Sequence, residues 1–191
     1  MKAEEKIYKA YLEAKANKLY FNQIKDLTNL SNSSLQNIIK KLLDQNTIKK
    51  EKTKSNTFYQ IKNKKLFTLK FSEIAINKFN NLNINVKVPL RNFLEKLPVD
   101  IFSVVLFGSS SRKQETKKSD IDLLVISSKK TEMNYITKEV NAISNYPLNV
   151  FQCNLKQFAE SKDPVIFQAK NTGFPIRGEQ NFYEVLANEY Q

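Results

Sequence analysis

Two carboxylates, Asp120 and Asp122, stand two residues apart at the head of an apolar run, Leu123 to Ile126. In a strand, residues i and i+2 share a face, so both carboxylates point one way while Ile121 and Leu123 point into a core. Adjacent carboxylates repel unless a cation lies between them, and a hard cation such as Mg²⁺ prefers oxygen ligands. Upstream, Val104 to Phe107 reads as a buried strand that ends on Gly108, Ser109, Ser110, Ser111 and Arg112. Small residues there let the backbone come close to a phosphate. The chain contains no histidine, which excludes a histidine general base, a Ser-His-Asp triad and His-based zinc sites. The chemistry left is that of carboxylates, lysine, tyrosine or metal. A β-hairpin edge with solvated aspartates is the bland alternative, but it needs no apolar strand on either side of the carboxylates.

Gly108-Ser109, Arg112 and then Asp120-Ile121-Asp122 between apolar strands resemble the signature of the DNA polymerase β-like nucleotidyltransferase superfamily, in its small prokaryotic "minimal nucleotidyltransferase" form. The resemblance implies a C-terminal domain with a small mixed sheet, Mg²⁺ or Mn²⁺ as cofactor, and a nucleoside triphosphate as substrate or ligand. It implies that Asp120 and Asp122 are catalytic metal ligands. Gly108 and Ser109 would hold the β/γ-phosphates, with Ser110, Ser111 and Arg112 adding contacts. The family pattern has a third carboxylate on the neighbouring strand. Here that strand is Pro147 to Cys153, and the matching position carries Asn149. An asparagine can offer a neutral carbonyl oxygen to a metal but cannot take a proton.

The elements that must position these residues follow in chain order. Ser109 to Gln114 starts a helix, Met133 to Ser144 is a helix with Tyr135, Ile136, Val140 and Ile143 on one side, and Pro147 to Cys153 is a third strand. Leu155 to Glu160 and Pro164 to Lys170 are short helices, 174–178 is an extended piece, and Asn181 to Glu189 closes the chain. Ahead of them, Ser72 to Phe79 is helical, Asn80 to Asn85 is loop, and Pro89 fits the first turn of a helix ended by Pro98. The expected division is 1–65, a helical linker over 66–97, and 98–191.

The first third is a different object. The 191 residues carry a net charge of +12, and residues 1–65 hold 15 lysines against six acids, a net +9. Such an excess suggests a polyanionic partner. Ile7, Ala10, Tyr11 and Ala14 space a helix over 4–15. Leu19 to Phe21 is extended, and Asn22 caps a second helix. Ser33 to Asp44 is the clearest helix, with Leu35, Ile38, Ile39, Leu42 and Leu43 as its apolar stripe. Ser33 with Gln36 fits a capping box, and Ser31 is an alternative cap. Asn46 falls where a left-handed residue ends a helix. Ile48 to Lys52 and Thr57 to Ile61 read as two strands. This order resembles a winged helix-turn-helix of prokaryotic regulators. That resemblance implies duplex DNA as partner, with Ser34, Gln36, Asn37, Lys40 and Lys41 on the recognition helix and Lys50, Lys52 and Lys54 on the wing. A small packing or dimerisation domain is the alternative.

The fold class expected is therefore α/β (α+β): a winged helix-turn-helix followed by a polymerase β-like nucleotidyltransferase domain. No apolar run is long enough to span a membrane. Cys153 is the only cysteine, so no intrachain disulfide forms, which fits a cytoplasmic protein. Two functions from different classes compete. One is a Mg²⁺-dependent nucleotidyltransferase acting on a hydroxyl acceptor. The other is a non-catalytic regulator whose second domain senses nucleotide or contacts a partner, with a homodimer matching two half-sites. A toxin–antitoxin component is a third.

Overall fold

The computed structural model describes residues 2–116, 119–129, 131–160 and 162–190. They gather into two units, Met1–Ile74 with Tyr183–Gln191, and Ala75–Phe182. The divisions fall inside two helices, Lys64–Asn80 and Glu179–Glu189, and do not coincide with the expected boundaries at 65/66 and 97/98.

In the first unit, α1 (Ala3–Ala14) buries Ile7, Tyr8, Ala10 and Tyr11. Then come β1 (Lys18–Tyr20), α2 (Phe21–Thr28), α3 (Asn32–Asp44), β2 (Ile48–Lys52) and β3 (Thr57–Ile61). The strands form an antiparallel sheet in the order β1-β3-β2. Asn22 is not the cap of α2, which begins at Phe21; the Gln23 side chain instead accepts the Tyr20 N–H at 3.1 Å. Ser31, rather than Ser33, caps α3 by accepting the Ser34 N–H at 3.3 Å. Leu35, Ile39 and Leu42 of α3 are fully buried, and Asn46 takes the left-handed conformation at φ 54°.

The helix expected from Ser72 starts much earlier, as α4 (Lys64–Asn80). The Asn63 side chain accepts the Leu66 N–H at 3.0 Å. Thr68 and Ser72 return their hydroxyls to the carbonyls of Lys64 and Thr68, a bond that lets such residues stay inside a helix. Phe67 meets Tyr8 and Tyr11 edge-on, with ring centroids 4.9 and 5.2 Å apart.

In the second unit, α5 (Ile84–Lys96) also begins earlier than expected. Asn83, read as loop, caps it by accepting the Asn85 N–H at 3.0 Å, so Pro89 lies inside the helix and not in its first turn. The sheet is built from β4 (Ile101–Phe107), β5 (Ile121–Ser127), β6 (Leu148–Cys153) and β7 (Phe174–Arg177), in the order β6-β5-β4-β7. It is mixed: β5 pairs antiparallel with β4 and parallel with β6, and β7 pairs antiparallel with β4. Val104, Val105, Leu106, Leu123 and Val125 are wholly buried, the pattern of strands covered on both faces. The extended piece at 174–178 is thus an edge strand, where Pro175 costs no ladder bond in the interior.

Between these strands lie α6 (Gly108–Ser111), α7 (Asn134–Asn141), α8 (Leu155–Glu160) and α9 (Pro164–Thr172), with α10 (Glu179–Glu189) after β7. The helix expected over Ser109 to Gln114 is only the four-residue α6. Arg112 and Gln114 both donate their N–H to the Ser109 carbonyl, and Lys113 turns left-handed at φ 57°. The expected apolar side of α7 is corrected as well: Tyr135 and Ile143 are 77% and 74% exposed, while Met133 and Val140 are buried. Ile143 lies past the end of the helix, so its predicted phase does not apply.

Candidate functional site

The site lies in the second unit, where β4 runs into Gly108 and β5 begins. Phe107 is opposite Asp122 in the β4–β5 register, and Asp122 is opposite Asn149 in the β5–β6 register. Gly108 has φ +73°, and a Cβ there would fall 2.2 Å from Oδ2 of Asp122. A glycine is needed on both counts, since an L side chain disfavours that φ and the carboxylate fills the space. The close approach expected of Gly108 is therefore made first to Asp122.

Asp120 precedes β5 rather than starting it, and is exposed. Its backbone is held from two directions. Ser110, only 1% exposed, donates its hydroxyl to the Asp120 carbonyl at 3.2 Å. The next residue, Ile121, donates its N–H to the Pro147 carbonyl at 2.8 Å. Ser111 donates its hydroxyl to the Gly108 carbonyl at 2.8 Å and to the Thr172 carbonyl at 3.4 Å. These two serines brace the turn with their hydroxyls. Ser109 is half-buried, and the exposed Arg112 donates from Nε to the Gln114 side chain at 3.1 Å. The bracing by Ser110 is legible only once Asp120 is known to be near; nothing in the serine run itself separates the three residues.

Burial pushes the Asp122 carboxyl above the usual carboxylate range; the amide of Asn149 works against this, and the Asp120 charge adds to it. Asn149 donates from Nδ2 to Oδ1 of Asp122 at 3.1 Å. Its amide nitrogen thus serves Asp122, and β6 (Leu148–Cys153) brings no carboxylate beside it. Two neighbouring carboxylates, one raised by burial and by the charge of the other, are of the kind that suits a hard divalent cation. Among the described residues no group of three or more His, Cys, Asp and Glu converges on a metal position; the carboxylates at this turn are Asp120 and Asp122, with Asn149 opposite Asp122. Cys153 is buried, and desolvation, with the Asp163 charge added and Lys170 opposing, pushes its thiol up to about 11. It is no nucleophile at neutral pH.

In the first unit, Gln36, Asn37, Lys40, Lys50, Lys52 and Lys54 are exposed, and Ser34 is half-buried. Lys41 is also exposed and pairs with Glu4 at 2.6 Å. No helix among the described residues is long and apolar enough to cross a membrane.

Residues 89–180 match the family model described as "Polymerase beta, Nucleotidyltransferase". The matched stretch contains the whole mixed sheet, Gly108, Asp120 and Asp122, and it supports the polymerase β-like nucleotidyltransferase superfamily for that part of the chain. Comparison with curated proteins and with solved structures gave no match.

Proposed function

We propose that the second unit is a Mg²⁺-dependent nucleotidyltransferase that takes a nucleoside triphosphate and passes its nucleotidyl group to a hydroxyl acceptor. The observation that carries this reading is the Gly108 turn pressed against Asp122, in a stretch that matches the nucleotidyltransferase family model. Asp120 and Asp122 would hold the cation, which when bound supplies positive charge to the phosphates. Gly108 and Ser109 are the groups for the terminal phosphates, and Arg112 offsets charge that develops there. Ser110 and Ser111 keep the turn and Asp120 in place. In the transfer, the acceptor oxygen bonds to the α-phosphorus and its proton passes to solvent water, while the bond to the bridging oxygen breaks and pyrophosphate leaves.

Asn149 favours a second reading. It sits opposite Asp122 and cannot accept the acceptor's proton. A site so built binds nucleotide and turns over poorly or not at all, as a sensor would.

The first unit, in the same proposal, is a winged helix-turn-helix that binds duplex DNA. Its support is the order α1-β1-α2-α3-β2-β3, the exposed polar side of α3 and the exposed Lys50 and Lys52 of β2 and Lys54 after it. Phosphate contacts from Lys50, Lys52 and Lys54 make that binding salt-sensitive.

The experiment incubates the protein with radiolabelled triphosphates, Mg²⁺ or Mn²⁺ and cell extract, beside Asp120→Ala/Asp122→Ala. Label transfer lost in the double variant is the result expected of a transferase. Nucleotide binding by calorimetry with no transfer moves the assignment to a sensor, and the absence of both rejects the site. In parallel, duplex binding should weaken at least about tenfold in Lys40→Ala/Lys41→Ala.

A further inference from the structure

The three-stranded sheet of the first unit has a face that the duplex-binding reading does not use. Its register sets two cross-strand rows side by side: Lys18–Gln60–Lys49 and Tyr20–Phe58–Glu51. Residues paired this way share a face, and the alternate residues Leu19 and Ile48, 2% and 1% exposed, point into the core. The rows therefore line the outer face. Lys18, Tyr20, Lys49 and Glu51 are exposed, and Phe58 and Gln60 are half-buried. Tyr20 stands edge-on to Phe58, with ring centroids 6.3 Å apart and planes at 84°. The Lys18 ammonium lies over the Phe58 ring, 5.4 Å from its centroid.

We infer that this outer sheet face is a platform for single-stranded nucleic acid, with Tyr20 as the stacking ring and Lys18 and Lys49 as the backbone contacts. The chemistry is complementary on both counts. The Tyr20 ring stands edge-on to Phe58 and is exposed to solvent, and every unpaired base presents a flat face to such a ring. Lysines stand at both ends of the neighbouring row, in a segment whose net charge is +9 over residues 1–65. Gln60, between them, offers both a donor and an acceptor to a base edge. Glu51 is the single acid of the two rows, at the β2 end, so the strand runs along the lysine row. A duplex has its bases already stacked and offers nothing to Tyr20, which separates this face from the one on α3.

The test uses the full chain and fluorescence anisotropy with three probes: a short labelled oligothymidylate, an abasic strand of the same length, and a duplex. The oligothymidylate should bind at least about tenfold tighter than the abasic strand. Tyr20→Ala should remove that difference and leave abasic binding unchanged, while Tyr20→Trp should keep it. Lys18→Glu/Lys49→Glu should weaken both strands about tenfold or more. Equal binding of the two strands by the unmodified protein overturns the inference without any variant. So does wild-type affinity in a folded Tyr20→Ala, or displacement of the oligothymidylate by polyglutamate at matched charge, which would make this a surface for acidic protein.

Discussion

Gly108 is constrained from two sides, by its own φ of +73° and by the Asp122 oxygen that occupies the place of a Cβ. Gly108→Ala should therefore cost about 1–2 kcal/mol from the backbone alone and also displace the carboxylate. Asp122 itself titrates above the ordinary carboxylate range, chiefly through burial. Its favourable contribution to stability is present below the unfolded value and is lost as pH rises through the higher folded value. At neutral pH the ionised group is a burden on the fold that the proposed cation would relieve. In thermal melts at pH 7, Mg²⁺ at about ten times its Kd should stabilise the second unit by about 1.4 kcal/mol, a rise of a few degrees. Asp122→Asn should melt no lower than wild type without Mg²⁺, gain nothing from Mg²⁺, and lose any advantage as the pH falls below the carboxylate range. Gly108→Ala should also lose the Mg²⁺ effect. A full Mg²⁺ shift in either variant would place the cation elsewhere. Asn149→Asp, by adding a third carboxylate beside Asp122, should raise label transfer if the transferase is limited at that position.

At the level of elements, α5 (Ile84–Lys96) is held at its C-terminal end by a residue that reads as unremarkable in the sequence. The Arg177 guanidinium donates to the carbonyls of Leu94, Leu97 and Pro98 at 3.2, 3.4 and 2.9 Å. Leu94 belongs to the last turn of α5, where its carbonyl also accepts the Leu97 N–H at 3.4 Å, and Leu97 and Pro98 follow the helix; a planar fork reaches all three carbonyls at once where a lysine ammonium cannot. Arg177→Lys should lower stability by about 1–2 kcal/mol in urea titrations followed by circular dichroism. An unchanged midpoint would mean water serves those carbonyls equally well. This cap was invisible in the sequence because its partners lie about 80 residues away. Other features were plain. The run from Val104 to Ile126 announced two buried strands, and the hydrophobic stripe of α3 and the bounds of β2 and β3 followed from local pattern alone. The position of Asn149 opposite Asp122 was legible only through the family resemblance, whose pattern has a third carboxylate on the neighbouring strand. What misled was local chemistry with two meanings. Asn83 suits a loop as well as a cap, Thr68 and Ser72 suit a turn as well as a back-bonded helix, and Pro89 suggests a helix start that Asn83 had already made. The face of α7 differs from its apolar pattern because Tyr135 is apolar without being buried and Ile143 lies past the end of the helix.

For the molecule as a whole, the first unit is completed by Tyr183–Gln191. Tyr183 and Leu186 are 3% and 5% exposed. Tyr183 meets Phe71 at a centroid distance of 5.5 Å, and the Asn17 side chain donates to the Tyr190 carbonyl at 3.2 Å. Each buried side chain of this size contributes roughly 1.5–3 kcal/mol. Deleting residues 183–191 should therefore destabilise the first unit by several kcal/mol. Hydrogen exchange should show α1 and the Phe67–Phe71 turn of α4 losing protection while β4 and β5 keep theirs; loss everywhere would mean that the two units unfold together. The same arrangement bears on synthesis. Residues 75–182 of the second unit come off the ribosome between the two segments of the first. At about 5–20 residues per second, the N-terminal segment waits on the order of ten seconds for its C-terminal helical segment. Through that interval Phe71 lacks its Tyr183 contact, so a nascent chain stalled there should expose apolar surface of the kind that drives aggregation.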